Sequence, residues 1–205
     1  MEATLYYQII RERIEVIRKF QGITDDNALE KVIQNHLFNH LWLLDPSWER
    51  AEGTDYMETT VLNALNSEFE GLTPEEKAGR LDLGYRKTAG KHVIIELKRA
   101  DRVVKSDEMV KQVMKYRDAL TKVLTEAYGS DFSYEILFVV GKPIDNNDSP
   151  DKREVVDKLL VAMNARIVYY KELIENAYKS YQEYIVANQQ SQPLIDMFSQ
   201  LEEME

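Results

Sequence analysis

The sequence predicts a mixed α/β domain, and three observations predict it. Apolar residues recur at helical spacing in the first 44 residues and again over 106–128. Between these, "RLDLGYR" and "KHVIIELK" read as two strands of a hairpin around "KTAG". Further on, "YEILFVVG" has the length and apolar content of a buried strand. Helical and strand segments that follow one another in a chain of 205 residues indicate helices layered on one central sheet.

The elements follow in order. From about Thr4 to Phe20, Leu5, Ile9, Ile10, Ile14, Ile17 and Phe20 line one helical face. Gly22 is its expected stop, and Thr24 or Asp25 is the expected cap of a second helix over about Asn27–Leu43, with Leu29, Val32, Ile33, Leu37 and Leu41 on its apolar side. Pro46 breaks that segment. Met57 to Phe69 is expected to be further helix, and "EGLTPEEKAGR" a loop with a capping signal at Thr73 and Glu76. After the hairpin come a helix over about Ser106–Tyr128, a strand over Tyr134–Gly141 and a helix over about Asp151–Asn164. The run "ARIVYY" reads as a last strand or as helix, because so short an apolar run fits both. From Lys171 the chain is expected to be helical, with a stripe at Leu173, Ala177, Tyr181, Tyr184 and Ile185 that ends near Pro193. That stripe suits a core or a subunit contact better than a ligand site, and makes a homo-oligomer through the C-terminal helices a reading to test. The end, "LEEME", reads as a frayed tail. The expected division is a helical extension over 1–24, a core over 25–170 with a central mixed sheet of about four strands flanked by helices, and a helical extension over 171–205.

Composition narrows the function classes. With 44% hydrophobic and 30% charged residues the chain is globular rather than disordered. No apolar run approaches the roughly 18 residues of a membrane span, and "MEATLYYQIIRERIEVIRKF" carries charges throughout, unlike a signal peptide. A soluble, cytoplasmic protein without membrane contact is expected. The absence of cysteine excludes disulfides, thiolate metal sites and cysteine nucleophiles. With three histidines, a metal site must lean on carboxylates, which suit hard cations such as Mg²⁺ or Mn²⁺. The net charge of -10 argues against indiscriminate polyanion binding. Arg80 to Lys122, however, holds 12 Lys/Arg against 6 Asp/Glu. Such a segment is either a footprint for a polyanion or a set of solvated helical charges.

The chemistry concentrates in the hairpin. Side chains alternate along a strand, so Glu96 and Lys98 share one face. Pairing outward from a turn centred near Ala89 places Asp82 opposite about residue 96. Two opposed carboxylates repel unless something positive lies between them, and a divalent cation is the natural candidate. Asp82, Glu96 and the carbonyl of Leu97 could hold it, with water in the other positions. Lys98 would then lie where it can stabilise an attacking hydroxide or a phosphoryl transition state.

The pattern of Asp82 followed by Glu96-Leu97-Lys98, after a helical N-terminal segment, resembles the PD-(D/E)XK nuclease superfamily with its restriction-endonuclease-like fold. A helix and a buried strand follow, and the helix carries "QVMKY". Its Gln112 and Tyr116 match the Q-x-x-x-Y motif of RecB-like members. Glu30 resembles the acidic residue many members place near the metal. The resemblance spans about Ala28 to Tyr170. Within it, "NHLFNHLWLLDPSWE" ahead of the hairpin resembles Shedu-type antiphage nuclease domains. The Pro-Asp of the family name is absent, since Leu81 precedes Asp82. The resemblance implies a Mg²⁺- or Mn²⁺-dependent deoxyribonuclease. Asp82, Glu96, the Leu97 carbonyl and Glu30 would bind metal, Lys98 would orient water, and Gln112 and Tyr116 would support the catalytic shell. Lys91, Arg99, Arg102, Lys111 and Lys115 would hold the DNA backbone without reading sequence. It also implies cleavage that leaves a 5′-phosphate, and leaves room for an ATPase domain or partner that gates cleavage.

Other motifs carry less. His36 and His40 stand at i and i+4, but no glutamate lies between them as in H-E-x-x-H, so a packed pair is the simpler reading. "TDDN" and "DNND" lack the glycine and glutamate of a calcium loop. Two further functional readings compete with the nuclease. One is a catalytically silent nucleic-acid-binding or assembly domain on the same fold; the other is a helical interaction domain in which the hairpin is incidental.

Overall fold

The run "HVIIEL" does not alternate because it has no solvent face: all six residues are buried, as befits the central strand of a covered sheet. The computed structural model describes residues 2–44, 51–144, 150–182 and 186. In chain order its elements are α1 (Glu2–Asp25), α2 (Glu30–Asn39), a 3₁₀ turn (Leu41–Leu43), β1 (Tyr56–Thr60), α3 (Val61–Ala64), α4 (Pro74–Lys77), β2 (Arg80–Arg86), β3 (His92–Leu97), α5 (Ser106–Tyr128), β4 (Tyr134–Val140), α6 (Pro150–Ala162), β5 (Ala165–Tyr169) and α7 (Tyr170–Lys179). Pro46, the "DNND" loop, Tyr184, Ile185, Pro193 and the acidic tail lie outside the described residues.

The five strands form one mixed sheet in the order β1-β2-β3-β4-β5. β1, β2 and β3 are antiparallel neighbours, whereas β3, β4 and β5 run parallel. The change of sense follows from the connections: a tight turn joins β2 to β3, and the long helix α5 carries the chain over one face to β4. Each face has its own core. Ile94, Ile136 and Phe138 pack with Met109, Val113 and Leu120 of α5. On the other face Ile95, Leu97 and Val139 pack with Ile17 and Phe20 of α1, Ile33 and Leu37 of α2, and Leu173 of α7.

Several expectations need correction. The sheet has five strands rather than about four, and its presence removes the reading of a helical domain with an incidental hairpin. Met57 to Phe69 is not one helix. Tyr56–Thr60 adds an edge strand to β2, and only Val61–Ala64 is helical, capped by Thr60, whose hydroxyl accepts the Asn63 N–H at 3.3 Å. The β-branched pair Thr59-Thr60 and the pairing offered by β2 outweigh local helix preference here. α1 continues through Gly22 to Asp25, because Thr24 bonds back to the Phe20 and Gln21 carbonyls rather than capping α2. α2 begins without a side-chain cap, and Leu29 and Val32 are exposed. "ARIVY" is a strand. Thr73 and Glu76 form the expected capping box, on the short helix α4. Among the described residues no helix is long and apolar enough to cross a membrane.

His36 sits buried between the helices, stacked on Phe20 with ring centroids 5.5 Å apart and Nε2 donating to the Val16 carbonyl at 3.2 Å. Burial, and then the charge of His40, push its pKa down from 6.5 to about 4. The unfolded chain therefore takes up this proton first as pH falls, so His36 subtracts stability progressively from 6.5 down to about 4. His36→Gln keeps a donor for Val16 and is expected to recover about 1 kcal/mol at mildly acid pH relative to neutral pH. Urea midpoints of wild type and variant at both pH values measure that difference. An equal offset at the two would count against it.

Candidate active site

The hairpin turn sets the register on which the candidate site depends. Lys87 N–H donates to the Lys91 carbonyl at 2.8 Å, and Gly90 N–H donates to the Lys87 carbonyl at 2.9 Å, with Gly90 at φ +87°. The pairs run Arg86 with His92, Tyr85 with Val93, Gly84 with Ile94 and Leu83 with Ile95. The paired ladder ends there, one residue short of Asp82 and Glu96. Simple alternation stops there as well. Leu81 packs in the core beneath α5, while Leu83, two residues on, packs in the opposite core. β2 therefore rotates at Asp82, alongside Glu58 of β1, which lies in the left-handed region at φ +50°. The rotated residue reaches across to β3, where Asp82 Oδ2 accepts the Leu97 N–H at 2.8 Å.

Glu96 points under α5 and is 3% exposed. Lys98, two residues on and equally buried, donates to Oε1 at 2.5 Å. From α5, Gln112 Nε2 also donates to Oε1, and the Tyr116 hydroxyl lies 2.8 Å from Oε2. Gln112 and Tyr116 meet there because residues four apart share a side of a helix. Gln112 Nε2 also lies 3.2 Å from the Tyr116 oxygen. Tyr116 has one proton for two acceptors, Glu96 and the Arg80 carbonyl, both at 2.8 Å. Burial, then the Glu96 charge, raise its pKa and keep that proton in place. Lys98 Nζ further lies 5.7 Å from the centre of the Phe138 ring.

The electrostatics favour a cation. Burial, and after it the charge of Glu96, push Asp82 up to about 7, against the Leu97 N–H and Lys98, which favour its ionised form. Two acids are thus held close in a poorly solvated place. Three of the roughly four acceptor positions of the Glu96 carboxylate are in use. Asp82 Oδ1 carries no hydrogen bond among the described residues. Along a strand, the N–H and C=O of a residue point the same way, so the Leu97 carbonyl faces β2 as its N–H does. These donors suit a hard divalent ion that keeps several waters. Glu30, half-buried in the first turn of α2, contributes its charge at Asp82. Among the described residues no three His, Asp or Glu side chains converge, so Glu30 does not complete a three-acid cluster with the pair.

Two contributors are not evident from the sequence. Gln34, on α2 and 3% exposed, donates from Nε2 to the Asp82 carbonyl at 2.8 Å. Tyr170, 2% exposed at the start of α7, donates its hydroxyl to the Lys98 carbonyl at 2.7 Å. Each pins the main chain of one site residue from the face opposite α5. A glutamine directly after Ile33 of an apolar helix face is a faint signal. The Tyr170 contact, 72 residues away in sequence, has none.

No protein-family model matches the chain, and no curated protein matches its sequence. The residues and their geometry therefore carry the functional reading.

The basic residues expected to bind DNA do not form one group. Lys91 lies at the opposite end of β3 from Glu96 and pairs with Glu135 at 2.7 Å. Arg99 donates to the Asn27 carbonyl at 3.2 Å and lies 3.9 Å from Asp101, with its Nε buried and unbonded. Arg102 pairs with Glu108 at 2.5 Å. Lys111 and Lys115 flank Gln112 and Tyr116 on α5; Lys111 is well exposed, with Asp107 3.8 Å away. Arg99, Arg102, Lys111 and Lys115 thus belong to the segments leaving the Glu96–Lys98 end of β3, and Lys91 does not. His36 and His40 form a packed pair, with centroids 4.8 Å apart and His36 committed to Val16.

Proposed function

We propose that this protein is a divalent-cation-dependent nuclease that hydrolyses DNA phosphodiester bonds on a restriction-endonuclease-like core. The observation that carries the reading is the convergence of three motif residues on one carboxylate, with a fourth beside it. Glu96 is held by Lys98, Gln112 and Tyr116, and Asp82 bonds the main chain between Glu96 and Lys98. Asp82, Glu96 and the Leu97 carbonyl would hold Mg²⁺ or Mn²⁺. Such an ion supplies Lewis-acid polarisation of the phosphoryl oxygen and a bound water of lowered pKa. Lys98 would orient a water and offset charge on the phosphate, while Gln112 and Tyr116 fix the Glu96 carboxylate so that it does not swing away. Lys111 and Lys115 hold the backbone of the scissile strand. An antiphage role, a cytoplasmic setting, an ATPase partner and self-association through the C-terminal helices rest on the resemblance or the sequence pattern alone. Plasmid and linear DNA incubated with the protein and Mg²⁺ or Mn²⁺ test the activity. Cleavage should require the metal and disappear with EDTA.

One observation favours a second reading. Three of the Glu96 acceptor positions are taken by the chain's own donors, and a buried network of that kind can serve folding alone. A catalytically silent DNA-binding domain would then retain steeply salt-dependent binding without cleavage in any divalent metal.

The clamps from Gln34 and Tyr170 give a separate expectation. Tyr170→Phe leaves the Lys98 carbonyl without its donor and should cost about 1 kcal/mol of stability. If the clamps position the site, Tyr170→Phe and Gln34→Leu lower kcat about tenfold with little change in KM. Equal turnover in a folded Tyr170→Phe variant would reduce the clamp to a structural bond.

A further inference from the structure

The sheet end remote from Asp82 and Glu96 carries a cleft of about 370 Å³ that this chemistry does not use. Its walls come from Gly53–Tyr56 at the start of β1, from Asn63 and Asn66 around α3, and from Arg86, His92 and Tyr128. Arg86 and His92 are paired across β2 and β3, four residues along each strand from Asp82 and Glu96. At the rise of a β-strand that places the cleft about 13 Å from the acids.

Two donors in this cleft have no acceptor. Arg86 is half-buried, and its guanidinium makes no hydrogen bond or ion pair among the described residues. By contrast Arg80, Arg102, Arg117 and Arg166 each bond to a carbonyl or a carboxylate. Burial raises the Tyr56 pKa, so its hydroxyl stays a donor; Tyr56 is partly exposed where it lines the cleft, and that hydroxyl too has no hydrogen-bond partner among the described residues. Its place is set by Gly84, where a Cβ would fall 2.3 Å from the Tyr56 oxygen. Both groups are partly open to solvent where they line the cleft, so a ligand that accepts from them would take the place of water. Burial, and after it the charge of Arg86, lower the pKa of His92. Asp55, the acid of the cleft wall, is exposed at its rim.

The remaining walls suit a planar group. Tyr128 is 49% exposed, and its ring stands 6.4 Å from that of His92 at 42°. Asn63 and Asn66 are exposed amides, each offering donors and an acceptor, the pairing set of a nucleobase edge. The cleft is at the lower end of the size range for small-molecule sites.

We propose that this cleft binds a nucleoside monophosphate, its phosphate on Arg86 and the Tyr56 hydroxyl and its base against Tyr128. The proposal does not depend on the nuclease reading. Isothermal titration of the full chain with AMP, GMP, CMP and UMP, with adenosine and inorganic phosphate as controls, tests it. At least one monophosphate should bind saturably, and neither control should approach it. Arg86→Gln should weaken binding about tenfold or more, since a charge-assisted pair is lost. Arg86→Lys should recover part of this, because it keeps charge but not the fork. Tyr128→Ala should weaken the nucleotide without affecting thermal stability. Glu96→Gln should bind as wild type, which keeps this result independent of cleavage. Absence of binding at millimolar ligand, unchanged affinity in a folded Arg86→Gln variant, equal binding of inorganic phosphate, or binding of oligonucleotides alone would each overturn the proposal.

Discussion

Glu96→Gln is expected to lower metal-dependent DNA cleavage by about a thousandfold or more, and to cost stability as well, because it leaves the buried Lys98 without its anion. The amide keeps the shape of the carboxylate: its oxygen can accept from Lys98 and Gln112 while its NH2 donates to the Tyr116 oxygen, whose own proton turns to the Arg80 carbonyl, so what is lost is the charge. Lys98→Ala should be as inactive but for two reasons. It removes the ammonium, and it leaves Glu96 buried without its cation, which costs about 3 kcal/mol or more in stability. The pair Glu96→Gln and Lys98→Gln, made together, should regain most of that stability and none of the activity. Cleavage that survives Glu96→Gln at wild-type rate would falsify the catalytic assignment, whatever the stability results.

The second large effect concerns Asp82, and its sign differs between stability and function. Asp82 in the metal-free protein holds its proton up to about 7, whereas the unfolded chain releases it near 3.8. The folded state therefore binds the extra proton between those values, and stability is lost as pH rises through that window and stays lost above it. Asp82→Asn removes the penalty, since Oδ1 of an amide still accepts the Leu97 N–H. The variant should be more stable than wild type by about 2 kcal/mol above neutral pH, with the gain shrinking toward pH 4. It should also lose Mn²⁺ binding by calorimetry and lose cleavage. A residue whose removal stabilises the metal-free protein while abolishing metal binding is the mark of a site maintained for function. An Asp82→Asn variant that is less stable than wild type at alkaline pH would assign the carboxylate a purely structural role.

The hairpin shows how far the sequence alone reaches. Residue counting from "KTAG" gives the register from Arg86–His92 to Leu83–Ile95, because a turn of fixed length and a period of two leave no freedom. It does not give the rotation at Asp82. That depends on the edge strand Tyr56–Thr60, which the sequence pattern assigns to a helix. Spacing on α5 places Gln112 and Tyr116 on one side of the helix. That this side closes over Glu96 depends on how the α5 crossover packs. The five basic residues were picked by sign alone, and the structure separates Lys91 from the other four because charge says nothing of which end of a strand a residue occupies.

What the sequence by itself determined is local: element type where periodicity is strong, the capping box at Thr73 and Glu76, the hairpin register and the identities of the polar residues in its apolar strand. The tertiary structure decided what those polar residues meet. Gln34 and Tyr170 reach the Asp82 and Lys98 carbonyls from helices distant in the chain, and Arg86 and the Tyr56 hydroxyl come to line one cleft without acceptors among the described residues. Periodicity fixes which way a side chain points from its own element. Burial and hydrogen-bond partners depend on which other elements pack there, and long-range contacts set that.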